Sequence, residues 1–187
     1  VMAYTESLAR QLRETYYHYR KIVVEIDNRD IGGARGWDWI KKGIPLRVEI
    51  GPRDIARDSV YVGRRDKAHK EKISLNKDQF VGEITNILDE IQNNLFARAQ
   101  KFSKEHTQPC DDREAFYDFF TPQNSQKPEI HGGFAVSSWC GQEACELKVK
   151  DELGVTIRCL PLEQENSKSA CVCCGKPGNI RAIFAKA

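Results

Sequence analysis

Every cysteine of this chain lies at or beyond position 110, and four of them form two close pairs. Cys140 and Cys145 are spaced C-x4-C and Cys171 and Cys174 C-x2-C, with 25 residues between the pairs. The 187 residues therefore divide into a cysteine-free first part and a cysteine-bearing second part. Two thiolate pairs presented on tight turns can close a tetrahedron around zinc. Gly141 follows the first of these cysteines and Gly175 the last, where knuckle turns need glycine. So small a part has too little core to be stable alone, and a metal clip is the physical expectation. Four protein ligands would leave no open position, making the site structural and not catalytic. Free buried thiols in a reduced protein would show the same spacing. Cys173 adjoins Cys174 as a competing ligand, while Cys110 and Cys159 read as small core residues. Seven is an odd number, which argues against a disulfide framework and for reduced thiols in the cytoplasm.

The strand and helix pattern of residues 1–106 reads as α/β or α+β, and α/β is the class expected for the chain. Residues 4–19 read as a helix with Leu8, Leu12, Tyr16 and Tyr19 on one stripe. KIVVEI (21–26) reads as a β-branched strand, and 27–36 as a Gly- and charge-rich loop. Strands are expected at 44–50, 59–63 and 72–75. A long amphipathic helix is expected at 77–105, with Phe80, Ile84, Ile87, Ile91, Leu95 and Phe102 at helical spacing. Asn76 and Asp78 are its capping candidates. Pro109–Asp112 marks a break, placing a domain boundary near 106–110. A helix over 112–120, a polar loop over 121–129 and a strand over 133–137 follow. Then come a helix over 142–153, a strand over 155–160, a loop over 163–169, the cysteine knuckle and a last strand over 180–185.

The hydrophobic content of 40% supports a packed core, and no apolar run approaches the roughly 18 residues of a membrane span. A soluble protein with no membrane partner is expected. The chain opens at Val1 without an initiator Met or a signal pattern, which reads as a processed chain or an excised fragment. Its net charge of +2 predicts no partner, but residues 35–72 hold eleven Lys/Arg against six Asp/Glu. That excess suits a polyanion-binding face, and equally a solvated loop region. Within it, KGIPLRVEIGPRD (42–54) alternates Ile44, Leu46, Val48 and Ile50 with Arg47 and Glu49, and Gly51-Pro52 stops the strand. Charged forks at a strand end are what reading a guanine edge needs.

KGIPLRVEIGPRD, followed by Arg64-Arg65-Asp66, resembles the anticodon-binding domain of prolyl-tRNA synthetases of the archaeal and eukaryotic type. The resemblance continues in collinear order through WCGQEACE (139–146), RCLPLE (158–163), CVCCGKP (171–177) and IFAKA (183–187). It implies a class II synthetase-type anticodon-binding domain over 1–106, a mixed sheet with flanking helices whose opening strand is missing. A small α+β zinc-binding domain would cover 107–187. By resemblance, Arg47, Arg53 and Asp54 read anticodon bases, with Trp39 as a stacking aromatic, although packing under the strand suits Trp39 as well. Lys42 and Arg65 would hold phosphates, and Cys140, Cys145, Cys171 and Cys174 match the family's zinc ligands. Proline tRNA would be the partner, with no DNA. ATP and proline would be handled by a catalytic domain outside this chain, and the full enzyme would be a cytoplasmic homodimer. Two rival readings stand beside this one: a free-standing tRNA-binding module that aminoacylates nothing, and a structural zinc domain docking a protein.

Two departures from the family pattern are visible. Only Asp38–Lys41 separate Gly36-Trp37 from Lys42-Gly43, where relatives carry about seven residues including an aromatic and a base-reading glutamate. Ile40 falls at the glutamate's position, so that contact is expected to be absent or shifted to Asp38. Relatives end in a Tyr, whereas this chain ends Lys186-Ala187. No phosphate-binding glycine loop or nucleotide fingerprint occurs. His18, His69, His106 and His131 lie apart as surface or loop residues, and no catalytic set is expected.

Overall fold

The long helix predicted over 77–105 is α4 (Lys77–Glu105), and much of the first core is built on it. In this computed structural model, residues 1–32, 34–122, 124, 126, 132–164 and 169–186 are described. The polar loop over 121–129 and the loop over 163–169 lie partly outside them, as do His131 and Ala187. The chain forms two compact units, Val1–Arg98 and Ala99–Ala187.

The first unit contains α1 (Met2–Glu14), the two-residue strands β1 (Tyr16–Tyr17) and β2 (Arg20–Lys21), and α2 (Ala34–Lys41). After these come β3 (Leu46–Glu49), the single turn α3 (Pro52–Ile55), β4 (Ser59–Arg64), β5 (Lys72–Asn76) and most of α4. Strands β3, β4 and β5 form an antiparallel sheet in that order. Alternation gives the sheet two faces. Val60 and Val62 are buried with Leu8 and Leu12 of α1 and with Phe80, Ile84, Ile87 and Ile91 of α4. The opposite face carries Arg47 paired with Gly63, and Glu49 paired with Tyr61. Asn76 starts α4 by accepting the Asp78 and Gln79 N–H groups at 2.9 and 3.2 Å, satisfying two orphan donors of the first turn.

Three expectations change here. The first helix ends at Glu14, because Thr15 turns to an extended conformation. Tyr16 and Tyr19 are therefore 60% and 82% exposed instead of lying on a buried stripe. The KIVVEI segment contributes only Lys21 to a strand; Ile22 and Val24 pack against the core without joining the three-stranded sheet. Its alternation reflects one half-buried face, and a strand needs a paired neighbour as well. Residues read as loop from 34 onward form α2, which has no buried residue and, at eight residues, is too short for a helical period to stand out in sequence.

The second unit contains the end of α4, β6 (Thr107–Pro109), α5 (Arg113–Phe120), β7 (Phe134–Trp139), α6 (Glu143–Leu153), β8 (Val155–Cys159) and β9 (Ile180–Lys186). Its sheet runs β6-β7-β9-β8, with β6 parallel to β7 and the other pairs antiparallel. Phe116, Phe120, Val149, Val155 and Phe184 fill the core together with Cys171, Val172 and Cys173. Cys110 is buried as expected, but Cys159 is exposed. It follows a register irregularity after Ile157, which disturbs the alternation that would have turned it inward.

Candidate nucleic-acid interface and metal centre

The four paired cysteines converge. The Cys140, Cys145, Cys171 and Cys174 sulfurs all lie within 4.8 Å of one another. Cys140 and Cys145 Sγ are 3.5 Å apart, and Cys140 and Cys174 Sγ 3.8 Å. Metal–sulfur arms of about 2.3 Å give tetrahedral edges of about 3.8 Å, so the set has the size of a four-thiolate site. Cys140 follows β7 directly, and Cys145 sits in the first turn of α6. Gly141 and Gly175 take φ values of +81° and +73°, the left-handed turns that the sequence predicts at the two knuckles. Cys171 N–H donates to Lys176 O at 2.7 Å, and Gly175 N–H to Cys171 O at 2.9 Å, closing the second knuckle. Val172 N–H donates to Ser138 O at 3.1 Å and so fastens that knuckle to β7 beside Cys140.

The electrostatics of the cluster are uneven. A backbone N–H near Lys176 lowers the Cys174 thiol to about 7, while burial pushes Cys140 and Cys145 upward. Cys173 is outside the converging set and buried in the core, where desolvation raises its thiol.

The residues expected to meet nucleic acid are spread over one strand, two helices and two loops of the first unit. Arg47, on β3, points its guanidinium toward the β4–β5 loop, with Nη1 3.2 Å from His69 Nδ1. It lies across Gly63: a side chain there would place Cβ 3.2 Å from Arg47 Nη2. The His69 ring is stacked on Trp37 at 4.8 Å between centroids and 19° between planes. Arg53 is exposed in the first turn of α3 and has no ion-pair partner among the described residues. The Asp54 carboxylate accepts the Gly51 N–H at 2.8 Å, so it caps the same turn.

Trp39, the expected stacking aromatic, is half-buried and tied down. Its indole N–H donates to Asp27 Oδ2 at 2.6 Å, and Lys42 Nζ lies 4.3 Å from its ring centroid. Asp27 also binds Arg29, which holds its carboxyl well below the usual carboxylate range, with Trp39 helping. Arg29 reaches Asp38 on α2 at 3.4 Å. Arg65 donates from Nη1 to Gly43 O at 3.1 Å. Lys72, on β5, pairs with Glu49 at 2.5 Å. The sequence reading leaves His69 among the loop histidines and gives Trp37 no role; their meeting depends on the β4–β5 loop returning to α2 and β3, for which the chain carries no local signal.

Comparison with known proteins bears on both units. Residues 1–87 match the family model described as "Anticodon binding domain", and residues 125–187 the one described as "Prolyl-tRNA synthetase, C-terminal". The chain is 45% identical to a proline–tRNA ligase of Protochlamydia amoebophila, an alignment covering 100% of this chain and 37% of the relative. It is 40% identical to proline–tRNA ligase 2 of Anaeromyxobacter dehalogenans, over 100% of this chain and 37% of the relative. A similar solved structure is prolyl-tRNA synthetase from Cryptosporidium parvum, complexed with L-proline and AMP. That comparison has a TM-score of 0.70 and 27% identity, over 100% of this chain and 37% of the other. This chain thus spans about a third of the length of the curated relatives it matches.

Proposed function

The chain belongs to the prolyl-tRNA synthetase family, whose anticodon-binding and C-terminal domains it matches, and from that premise we propose that it docks the anticodon loop of proline tRNA. The enzyme it serves would ligate proline to that tRNA using ATP, with the chemistry in a catalytic domain outside these 187 residues. That enzyme would be a cytoplasmic homodimer. In the described residues no helix is long and apolar enough to cross a membrane.

The observation that carries this reading is the state of Arg47 and Arg53. Neither guanidinium is paired with a carboxylate among the described residues, so each keeps donors for guanine O6 and N7 or for phosphate. Lys42 and Arg65 are proposed phosphate contacts, Trp39 a stacking aromatic and Asp54 an acceptor for a guanine amino group. Residues 1–106 would carry tRNA binding and 107–187 the metal-bound part. Zinc is the proposed ion for the four cysteines, because their sulfurs have the spacing of a tetrahedral site. Bound there, it would supply a structural clip: four thiolates leave it no position for substrate.

The test is a binding titration of the purified chain with proline tRNA, and with the same tRNA carrying changed anticodon guanines. Salt-sensitive binding that weakens about ten-fold or more on guanine replacement supports the reading. Equal affinity for both RNAs overturns it.

A further inference from the structure

Arg47 is held differently from three other cations of its unit, Arg64, Lys72 and Arg29. Arg64 is paired with Asp66 and Glu90, Lys72 with Glu49, and Arg29 with Asp27 and Asp38. Each of those cations is partly neutralised where it stands. Arg47 has a ring nitrogen as its partner instead, His69 Nδ1 at 3.2 Å. A guanidinium has no acceptor, so a hydrogen bond between the two requires Nδ1 to accept, which is the Nε2–H tautomer of the ring. The contact fixes the plane of the fork without removing its charge.

The supports of this arrangement come from three elements. Trp37 on α2 stacks on His69 and limits the ring's rotation. Gly63 on β4 leaves the space in which Arg47 Nη2 lies; its missing Cβ would stand 3.2 Å away. Gly36, beside Trp37, would bring a Cβ within 3.7 Å of Nη1. Trp37 is itself 52% exposed, so much of its ring remains open next to the fork. An open indole beside an unpaired guanidinium is what an unstacked purine would meet: a ring to stack on and a fork for O6 and N7.

We propose that Trp37, His69 and Arg47 form one guanine-binding element, in which Trp37 stacks on the base, Arg47 reads its O6/N7 edge, and His69 is a positioning residue that aims the guanidinium. This rests on the anticodon reading above and deepens it, moving stacking to the aromatic next to Arg47. His69 touches no base and acts through Arg47 and Trp37. The preorganised fork loses less side-chain entropy on binding than a free arginine would.

The experiment uses the full chain and fluorescent RNA hairpins bearing the proline anticodon loop, with each loop guanine replaced in turn by 7-deazaguanine. That analogue keeps the stacking surface and loses the N7 acceptor. The wild-type chain should prefer guanine about ten-fold at one position. Arg47→Ala should abolish that preference. His69→Ala should reduce it to about three-fold or less, and His69→Asn, whose Oδ1 can replace Nδ1 as acceptor, should restore most of it. Trp37→Ala should weaken both hairpins about ten-fold and, by releasing the His69 ring, lower their ratio as well. Thermal melts of each variant, unchanged from wild type, separate these effects from loss of fold. If Arg47→Ala leaves guanine preference unchanged, the anticodon role of Arg47 fails and this inference with it. If Arg47→Ala acts but His69→Ala and Trp37→Ala do not, the anticodon reading stands and the three-residue element is overturned. A His69→Asn variant no better than His69→Ala also overturns the positioning role.

Discussion

Arg64 and Asp66 form a two-point ion pair, Nε to Oδ1 at 3.0 Å and Nη2 to Oδ2 at 2.9 Å, with the carboxylate side chain 1% exposed. The pair is anchored on α4: Arg64 Nη1 donates to Glu90 Oε2 at 2.7 Å, and Asn94 Nδ2 to Asp66 Oδ2 at 2.8 Å. It joins the end of β4 to the long helix, where a buried unpaired charge would be costly.

That pair predicts an acid-sensitive first unit. The Arg64 hydrogen bonds, then Asn94, lower the Asp66 carboxyl to about 2. A depressed carboxylate contributes stability that is present above its unfolded value of about 3.9 and is lost as pH falls through about 2. The contribution is of order 2 kcal/mol. Thermal melts recorded from neutral pH down to about 2 should show Asp66→Asn with a lower midpoint at neutral pH and a shallower acid decline. Parallel declines in wild type and variant would show that Asp66 does not carry the effect.

Gly178 sets the packing of the second knuckle. A Cβ there would lie 2.9 Å from Ser138 Cβ and 3.0 Å from the Cys171 backbone nitrogen. Backbone cannot yield as a flexible side-chain end would. Gly178→Ala should therefore cost about 1–3 kcal/mol and loosen metal retention by shifting Cys171. Denaturant unfolding checks the first part, and metal content after dialysis the second.

Metal analysis of the purified chain should find about one equivalent of zinc. Serine at Cys171 or Cys174 should lower it well below half, whereas Cys159→Ser, at an exposed position, should leave it unchanged. Chelation should also abolish cooperative unfolding of the second unit, read by circular dichroism, because metal binding and folding are coupled. Full cooperativity after complete chelation would sink the clip role.

The turn after β3 offers a separation of binding from stability. Arg53→Ala should weaken proline-tRNA binding about ten-fold and lower the salt slope by about one, with little change in melting temperature. Asp54→Ala should also lower stability by roughly 1 kcal/mol, because that carboxylate caps the Gly51 N–H. Anisotropy titrations at several salt concentrations, alongside melts, distinguish the two.

Legibility followed the range of the interactions. The α4 stripe of Phe80, Ile84, Ile87 and Ile91 is readable because burial on a helix imprints a 3.6-residue period. Beyond Ile91 the stripe continues in sequence, yet Phe102 is 51% exposed, since a period cannot say where the covering partner stops. β6 went unread because three residues, one of them proline, carry no alternation; its parallel pairing with β7 identifies it.

The chain by itself determined most of the longer elements and the four cysteines of the candidate metal site. Local periodicity, knuckle glycines and cysteine spacing act over a few residues and survive in one dimension, as does the KGIPLRVEIGPRD strand. Only the tertiary structure decided which charges stay free and which aromatic stands beside them. Asp27 holds Trp39, while His69 returns on the β4–β5 loop to meet both Trp37 and Arg47. Those contacts join residues 12, 32 and 22 positions apart, and no local preference of either partner encodes such a pairing.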